Sequence, residues 1–221
     1  MKRLISLALL IFMLMGIASA ASIETTGAAS VALEPDIAQL SLGVRSFEAD
    51  VTQAMANVNL RVEQIRAALA EMNISPDGIV AEDVYIYSNY DYDTGLNSGY
   101  NVTRQMRVTV SDISIVGNVI DAALSNGADE LNSLSFSSSG QREAYDEAMA
   151  LAVQDARKRA EIIAAAEGMT IVSLTSLAEG DNWGGGDYYY EATADAASGE
   201  TELAVGSLEV RASITAVYEA Q

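Results

Sequence analysis

Alanine stands at every fourth position from Ala144 through Ala148, Ala152, Ala156 and Ala160 to Ala164. On an α-helix, side chains four apart lie one above another, so this row forms a continuous ridge of methyl groups. Such a ridge seats in the groove of a packing partner and lets that partner's backbone come close. A membrane span uses small residues in the same way, but Gln154, Arg157, Lys158 and Glu161 occupy the opposite side of this helix. No hydrocarbon-facing surface carries that set. The wheel groups Tyr145, Met149, Ala152, Val153, Ala156, Ala160 and Ile163 on the packed side. Asp155 with Arg159, and Arg157 with Glu161, read as i,i+4 surface pairs rather than a reaction centre. The segment from Gln141 to Gly168 is therefore an architectural helix. Four residues turn about 400°, so the ridge precesses by ~40° per step and sweeps past a single contact face. Either the short helices of the chain or a second subunit is needed to cover it.

The remaining periodicities place that helix in an α+β frame. Ala38, Leu40, Leu42 and Val44 alternate with Gln39, Ser41, Gly43 and Arg45, which predicts a strand running from Val31, with Pro35 near its start. Val51, Ala54, Met55, Val58, Val62, Ile65, Leu69 and Met72 predict an amphipathic helix, stopped by Asn73, Pro76 and Gly78. "EDVYIYSNYDYDTGLNSGYNVTRQMRVTVSD" reads as a β-hairpin with a long polar tip. A short helix capped by Asp112 and closed by Asn126-Gly127 follows, then a strand in "ADELNSLSFSSS". After the alanine helix come strands at Thr170–Leu177 and Val205–Glu219, separated by an acidic, Gly- and Tyr-rich loop. The order is βαββαβαββ: a largely antiparallel sheet with helices packed on one face. Strict alternation sends Gln39, Ser41, Arg45, Thr103, Gln105, Arg107, Thr109, Glu209, Arg211, Ser213 and Thr215 to the face away from the helices.

The first twenty residues, "MKRLISLALLIFMLMGIASA", read as a secretory signal: Lys2 and Arg3, an apolar stretch from Leu4 to Ile17, then Ala18-Ser19-Ala20 as cleavage site. The apolar stretch is shorter than the ~20 residues a bilayer span needs. The expected mature chain is 21–221, exported to the periplasm or the cell surface, with no transmembrane span once the signal is removed. Without Lys2 and Arg3, 10 basic residues face 31 acidic ones, a net charge of −21. That balance opposes nucleic-acid binding, which needs a basic footprint. The chain has no cysteine and no histidine, which removes disulfides, Ser-His-Asp and Cys-His catalysis, and His-ligated zinc.

The remaining chemistry is narrow. Asp91 with Asp93, or Asp181, Asp187 and Glu191, offer oxygen ligands to a hard cation, but neither group has EF-hand spacing. Lys158, the single lysine of the mature chain, lies on the polar side of its helix, a poor setting for a lowered pKa. We assign no catalytic residue, metal or cofactor. Tyrosine is concentrated in two stretches: Tyr85, Tyr87, Tyr90, Tyr92 and Tyr100, then Tyr188, Tyr189 and Tyr190 near Trp183. Tyrosine joins a large apolar face to a polar tip, which suits glycan or protein surfaces. Strand packing is the favoured account of these tyrosines, and it is adequate for Tyr85 or Tyr87. The candidate binding loops are therefore Tyr90, Tyr92, Trp183, Tyr188, Tyr189 and Tyr190.

Taken in order, these pieces resemble the SIMPL-domain family, which includes the periplasmic immunogenic protein group. The matching pieces are Pro35-Asp36-Ile37-Ala38 leading to Leu42-Gly43-Val44, "AEDVYIYSNYDYD" with Gly99-Tyr100, and Gly127-Ala128-Asp129-Glu130 with Phe136. "AMALAVQDARKRAEIIAAAEG" and "LEVRASITAVYE" complete the set. The resemblance implies an exported envelope α+β protein that self-associates and carries no established catalytic residues. The expected function is a non-enzymatic envelope role exercised through a homo-oligomer. The alternative is a surface module that binds an envelope glycan or protein through its tyrosine-rich loops.

Overall fold

The computed structural model describes residues 21–93, 95–180 and 206–221. Along the chain run β1 (Ala21–Leu33), β2 (Ile37–Glu48), α1 (Val51–Glu71), β3 (Ile79–Asp91), β4 (Leu96–Val110), α2 (Val116–Ser125), β5 (Glu130–Ser137), α3 (Gln141–Ala166), β6 (Ile171–Glu179) and β7 (Leu208–Ala220). The class is α+β, and the pairs β2–β4, β2–β5, β3–β4 and β6–β7 are all antiparallel. One strand precedes the expected order. The sequence Glu34-Pro35-Asp36 separates β1 from β2 where a single strand from Val31 was expected. The described residues divide into two compact units, one of 21–31, 143–180 and 210–221, the other chiefly of 32–142.

In the first unit the sheet order is β1-β7-β6. Strand β7 alternates without a break, burying Leu208, Val210, Ala212, Ile214, Ala216, Tyr218 and Ala220. Helix α3 contributes Ala156, Ala160 and Ala164 to a core shared with Ile23, Ala216, Tyr218 and Ala220. All six alanines of the ridge are buried. Tyr145, Met149 and Val153 are only half-buried, and Ile163 is exposed, so the packed side is narrower than the wheel predicted. The reason is the partner. The strand against the ridge presents Gly27, and an atom at its Cβ position would lie 2.1 Å from Ala152 O and 2.3 Å from Ala156 N. Helix and strand backbones thus touch with nothing larger than a hydrogen between them. Thr25 Oγ1 donates to Ala156 O at 3.0 Å and Ala28 N to Asp155 Oδ2 at 3.1 Å, fixing the register of that contact. Because the chain itself covers the ridge, the ridge does not require a second subunit.

In the second unit the sheet order is β3-β4-β2-β5. Helix α1 begins at Asp50, whose Oδ1 accepts from Thr52 N at 2.8 Å and Gln53 N at 3.1 Å, satisfying amides that have no partner inside the helix. Its buried residues Ala54, Val58, Val62, Ile65 and Leu69 pack with Leu40, Leu42, Val44, Val102, Met106, Val108 and Val110. Val116, Val119, Ile120 and Ala123 of α2 join the same core. Gln39, Ser41, Arg45, Thr103, Gln105, Arg107 and Thr109 alternate with these buried positions, so they fall on the opposite face as expected. Along β7, Glu209, Arg211, Ser213 and Thr215 alternate in the same way with the buried set of that strand.

Two carboxylates fasten this unit. Asp129 Oδ2 accepts from Arg45 N at 2.6 Å, and its Oδ1 accepts from Arg61 Nη2 at 2.7 Å. Arg61 Nη1 in turn donates to Arg45 O at 2.6 Å. The guanidinium thereby ties α1 to β2 through the segment before β5. Gly127, at φ +120, lets the chain pass the Arg61 stem, which a Cβ would meet at 3.1 Å. Asp36 accepts from both Ser139 N and Ser139 Oγ. These hydrogen bonds hold its carboxyl below the ordinary 3.8.

Candidate functional site

The tyrosine-rich hairpin is built differently from the expected long polar tip. Strand β3 stays paired with β4 from Ile79↔Val108 out to Asp91↔Leu96, leaving only a tight turn. Aromatic and β-branched residues favour such pairing over a loop. The turn is made by Asp91, whose Oδ1 accepts from Asp93 N at 2.8 Å while its carbonyl accepts from Gly95 N at 2.9 Å. Gly95 sits at φ +71, a conformation that glycine adopts without a steric penalty. Among the described residues no three His, Cys, Asp or Glu side chains gather as a metal site would require.

The structure brings Tyr90 and Tyr92 together at this tip, their rings 5.3 Å apart and edge-on at 78°. Trp183, Tyr188, Tyr189 and Tyr190 lie outside the described residues, as do Asp181, Asp187 and Glu191, and as does the expected signal, residues 1–20. What the sequence reading missed lies on the hairpin's own strands. Tyr85 and Tyr87 are 40% and 62% exposed rather than packed away, and Tyr90, Tyr92 and Phe47 are 54%, 90% and 51% exposed. Directly opposed residues of an antiparallel pair point to the same side. Tyr87, Asn101 and Phe47 therefore form one row across three strands, and Tyr85, Thr103 and Arg45 the next, on the face away from α1.

The other face of β3 carries Val84 and Ile86, opposite Arg104 and Val102, and both are also exposed. From Val84 to Tyr90 the strand thus shows apolar or aromatic surface on both sides, and it is the edge strand of its sheet among the described residues. A signal was available in the sequence: "VYIYSNY" carries no charge on either parity, whereas a half-buried strand alternates. The charges stand at its ends. Asp83 lies beside Tyr85, whose hydroxyl donates to it at 3.3 Å, and the neighbouring negative charge raises the tyrosine's pKa above 10.0. Glu82 pairs with Arg107. On the open face the arginines are compensated, Arg107 by Glu82 and Arg45 by Glu130 at 3.7 Å.

Such an arrangement can present surface to a partner. Fold and site together define an antiparallel α+β protein with an aromatic hairpin arm and, among the described residues, a sheet face left open. The chain belongs to the SIMPL family, "Protein of unknown function (DUF541)", whose profile matches residues 23–218. It is similar to the uncharacterized protein YggE of Edwardsiella ictaluri, 28% identical over 158 residues that cover 70% of this chain and 66% of that protein. Against the uncharacterized protein YggE of Escherichia coli K12 the identity is 31% over 145 residues, 64% of this chain and 58% of the relative. The 26 kDa periplasmic immunogenic protein of Brucella melitensis is 24% identical over 168 residues, 72% of this chain and 66% of that one. The chain thus spans less than two thirds of the length of these relatives. Among the described residues no helix is long and apolar enough to cross a membrane.

Proposed function

We propose that this protein is exported to the cell envelope, where it works without catalysis by assembling with further copies of itself. The observation that carries the reading is the β3 arm, which exposes apolar side chains on both faces at a sheet edge. Monomeric soluble proteins rarely leave such contiguous surface open. The name of the Brucella relative, a periplasmic protein, and the leader-like residues 1–20 support the compartment. Light scattering on the exported protein in ~0.15 M salt, where the Debye length is ~8 Å, tests the assembly. A mass above the monomer is expected at micromolar concentration; a monomer overturns it.

A second reading is favoured by one observation, the row of Tyr87, Asn101 and Phe47 on the open face. Exposed aromatic rings beside a side-chain amide, with the nearby arginines charge-compensated, suit an uncharged glycan. Under this reading Tyr87→Ser lowers retention on cell-wall glycan while circular dichroism stays unchanged, and replacing Tyr188, Tyr189 and Tyr190 with serine tests the second tyrosine stretch in the same way. Retention equal to the parent for both variants removes the reading.

A further inference from the structure

The sheet edges of this protein are not equally open. Strand β6 is the edge of its own sheet, but its register with β7 shifts twice, between Ile171 and Ser173 and between Leu174 and Ser176. Strand β5 is interrupted once, opposite Ser41 and Leu42. Such irregularities twist an edge and spoil it as a template for another strand. Strand β3 also shifts register twice, between Ala81 and Val84 and between Asn89 and Tyr90, but both shifts flank its centre. From Val84 to Asn89 its pairing with β4 is unbroken, and no charge, proline or glycine lies between Asp83 and Asp91. An uninterrupted, uncharged, β-prone edge is what natural proteins avoid unless something pairs with it.

We infer that β3 pairs edge to edge with β3 of a second copy, in antiparallel register centred on Ile86, joining two four-stranded sheets into one. This rests on the self-assembly reading and names the surface that serves it. Both faces of the arm are apolar, so a partner docking on one face would leave the other wet. A strand added at the edge extends both faces at once. The area fits. At ~200 Å² for an aromatic side chain, the exposed fractions of Tyr85, Tyr87, Tyr90 and Tyr92 amount to ~500 Å² per copy before Val84 and Ile86 are added. A stable interface takes ~800 Å² from each partner.

Charge selects the register. Centring on Tyr87 sets Asp83 opposite Asp91, a like-charge pair that opposes association. Centring on Ile86 sets Tyr85 opposite Tyr87 and Val84 opposite Ser88 within the unbroken run, with Asp83 facing Asn89 at its end. This is the widest uncharged overlap that places no acid against an acid, and it stacks one tyrosine pair on each side of the central isoleucines.

The chain's lack of cysteine makes the test direct. Opposed Cα atoms in an antiparallel pair lie ~4.5–5.5 Å apart, inside the ~4.4–6.8 Å span of a disulfide. Ile86→Cys should therefore form a covalent dimer on mild oxidation. Ser88→Cys should not, because the two copies of position 88 are offset by four residues, ~13 Å along the strand. Tyr85→Lys with Tyr87→Lys, both on the solvent-facing side, should keep the parent melting temperature and halve the assembled mass. If the parent assembles but I86C does not cross-link, or S88C cross-links equally well, this surface is wrong and assembly stands. If the lysine pair folds and its mass is unchanged, the same conclusion follows. A monomeric parent removes the assembly reading itself, and this inference with it.

Discussion

Replacing Gly27 with alanine should destabilise the protein more than any other single methyl addition at the glycines described. The new Cβ would meet Ala152 O at 2.1 Å, Ala156 N at 2.3 Å and Ala156 Cβ at 2.8 Å. The first two are helix backbone atoms, which no rotamer change can move aside. Overpacking a tight contact costs ~1–3 kcal/mol, and this site belongs at the upper end. Alanine recovers ~0.5–1 kcal/mol in a strand by restricting the unfolded chain. The net loss is then ~2 kcal/mol. For a protein of this size each kcal/mol moves Tm by ~2–4 °C, so thermal unfolding followed by circular dichroism should show a fall of ~4–8 °C. Gly140→Ala is the control: its nearest neighbour would be Ser138 Oγ at 3.8 Å, an ordinary contact. A second variant separates backbone from side-chain crowding. Adding Ala156→Gly removes only the 2.8 Å contact, so it should not rescue Gly27→Ala. If Gly27→Ala melts within ~1 °C of the parent, the close packing of β1 on α3 is not as argued.

Three further outcomes are expected. Asp129→Ala removes the acceptor for Arg45 N and Arg61 Nη2; with bonds to charged groups worth ~1.5–3 kcal/mol and the site partly exposed, urea denaturation should show a loss of ~2 kcal/mol, and a loss below ~0.5 kcal/mol would argue against the lock. The Asp36 carboxyl is held below 3.8 by Ser139, so its contribution is present above the unfolded value and is lost as pH falls through the lower folded value; a carboxyl NMR titration with a midpoint at or above 3.8 contradicts this. Raising salt from ~0.01 M to ~0.15 M shortens the Debye length from ~30 to ~8 Å, so it should increase assembled mass in a chain of net charge −19; a decrease would mean that attraction between charges, not apolar pairing, holds the copies together.

What the sequence disclosed depended on whether the physical cause was local. Alternation along β2, β4 and β7 was legible because one face of each strand is buried by large apolar residues. Strand β1 was not, since the positions it buries are Ile23, Thr25 and Gly27. Two of those three carry no hydrophobic signal. They are small or polar because the alanine ridge leaves no room, so the cause of the pattern lies more than a hundred residues away. The ridge itself was visible, but its partner was not. The arm was misjudged for the converse reason. "DYDTGLNSGY" has turn-like composition, yet the strands on either side carry their pairing to Asp91 and Leu96, so length of pairing overrode local propensity. Tyr85 and Tyr87 read as packed strand residues, because alternation cannot report that, among the described residues, no helix covers the outer part of this sheet.

The family resemblance becomes physical once its motifs are placed. The Pro35-Asp36 motif, Gly43 and the Gly127-Ala128-Asp129-Glu130 motif all serve the junction of β2 with its neighbours. Asp36 accepts from Ser139, Asp129 from Arg61 and Arg45 N, and the Gly43 surface lies against Glu130, whose Cγ a Cβ would meet at 2.7 Å. They position β2, and β2 carries β4, which in turn carries the β3 arm. The motifs thus secure the base of a sheet whose far edge is left exposed. The recognisable residues and the surface proposed for pairing need not coincide: Asp36 and Asp129 hold the frame, while Val84 to Tyr90 form the proposed edge.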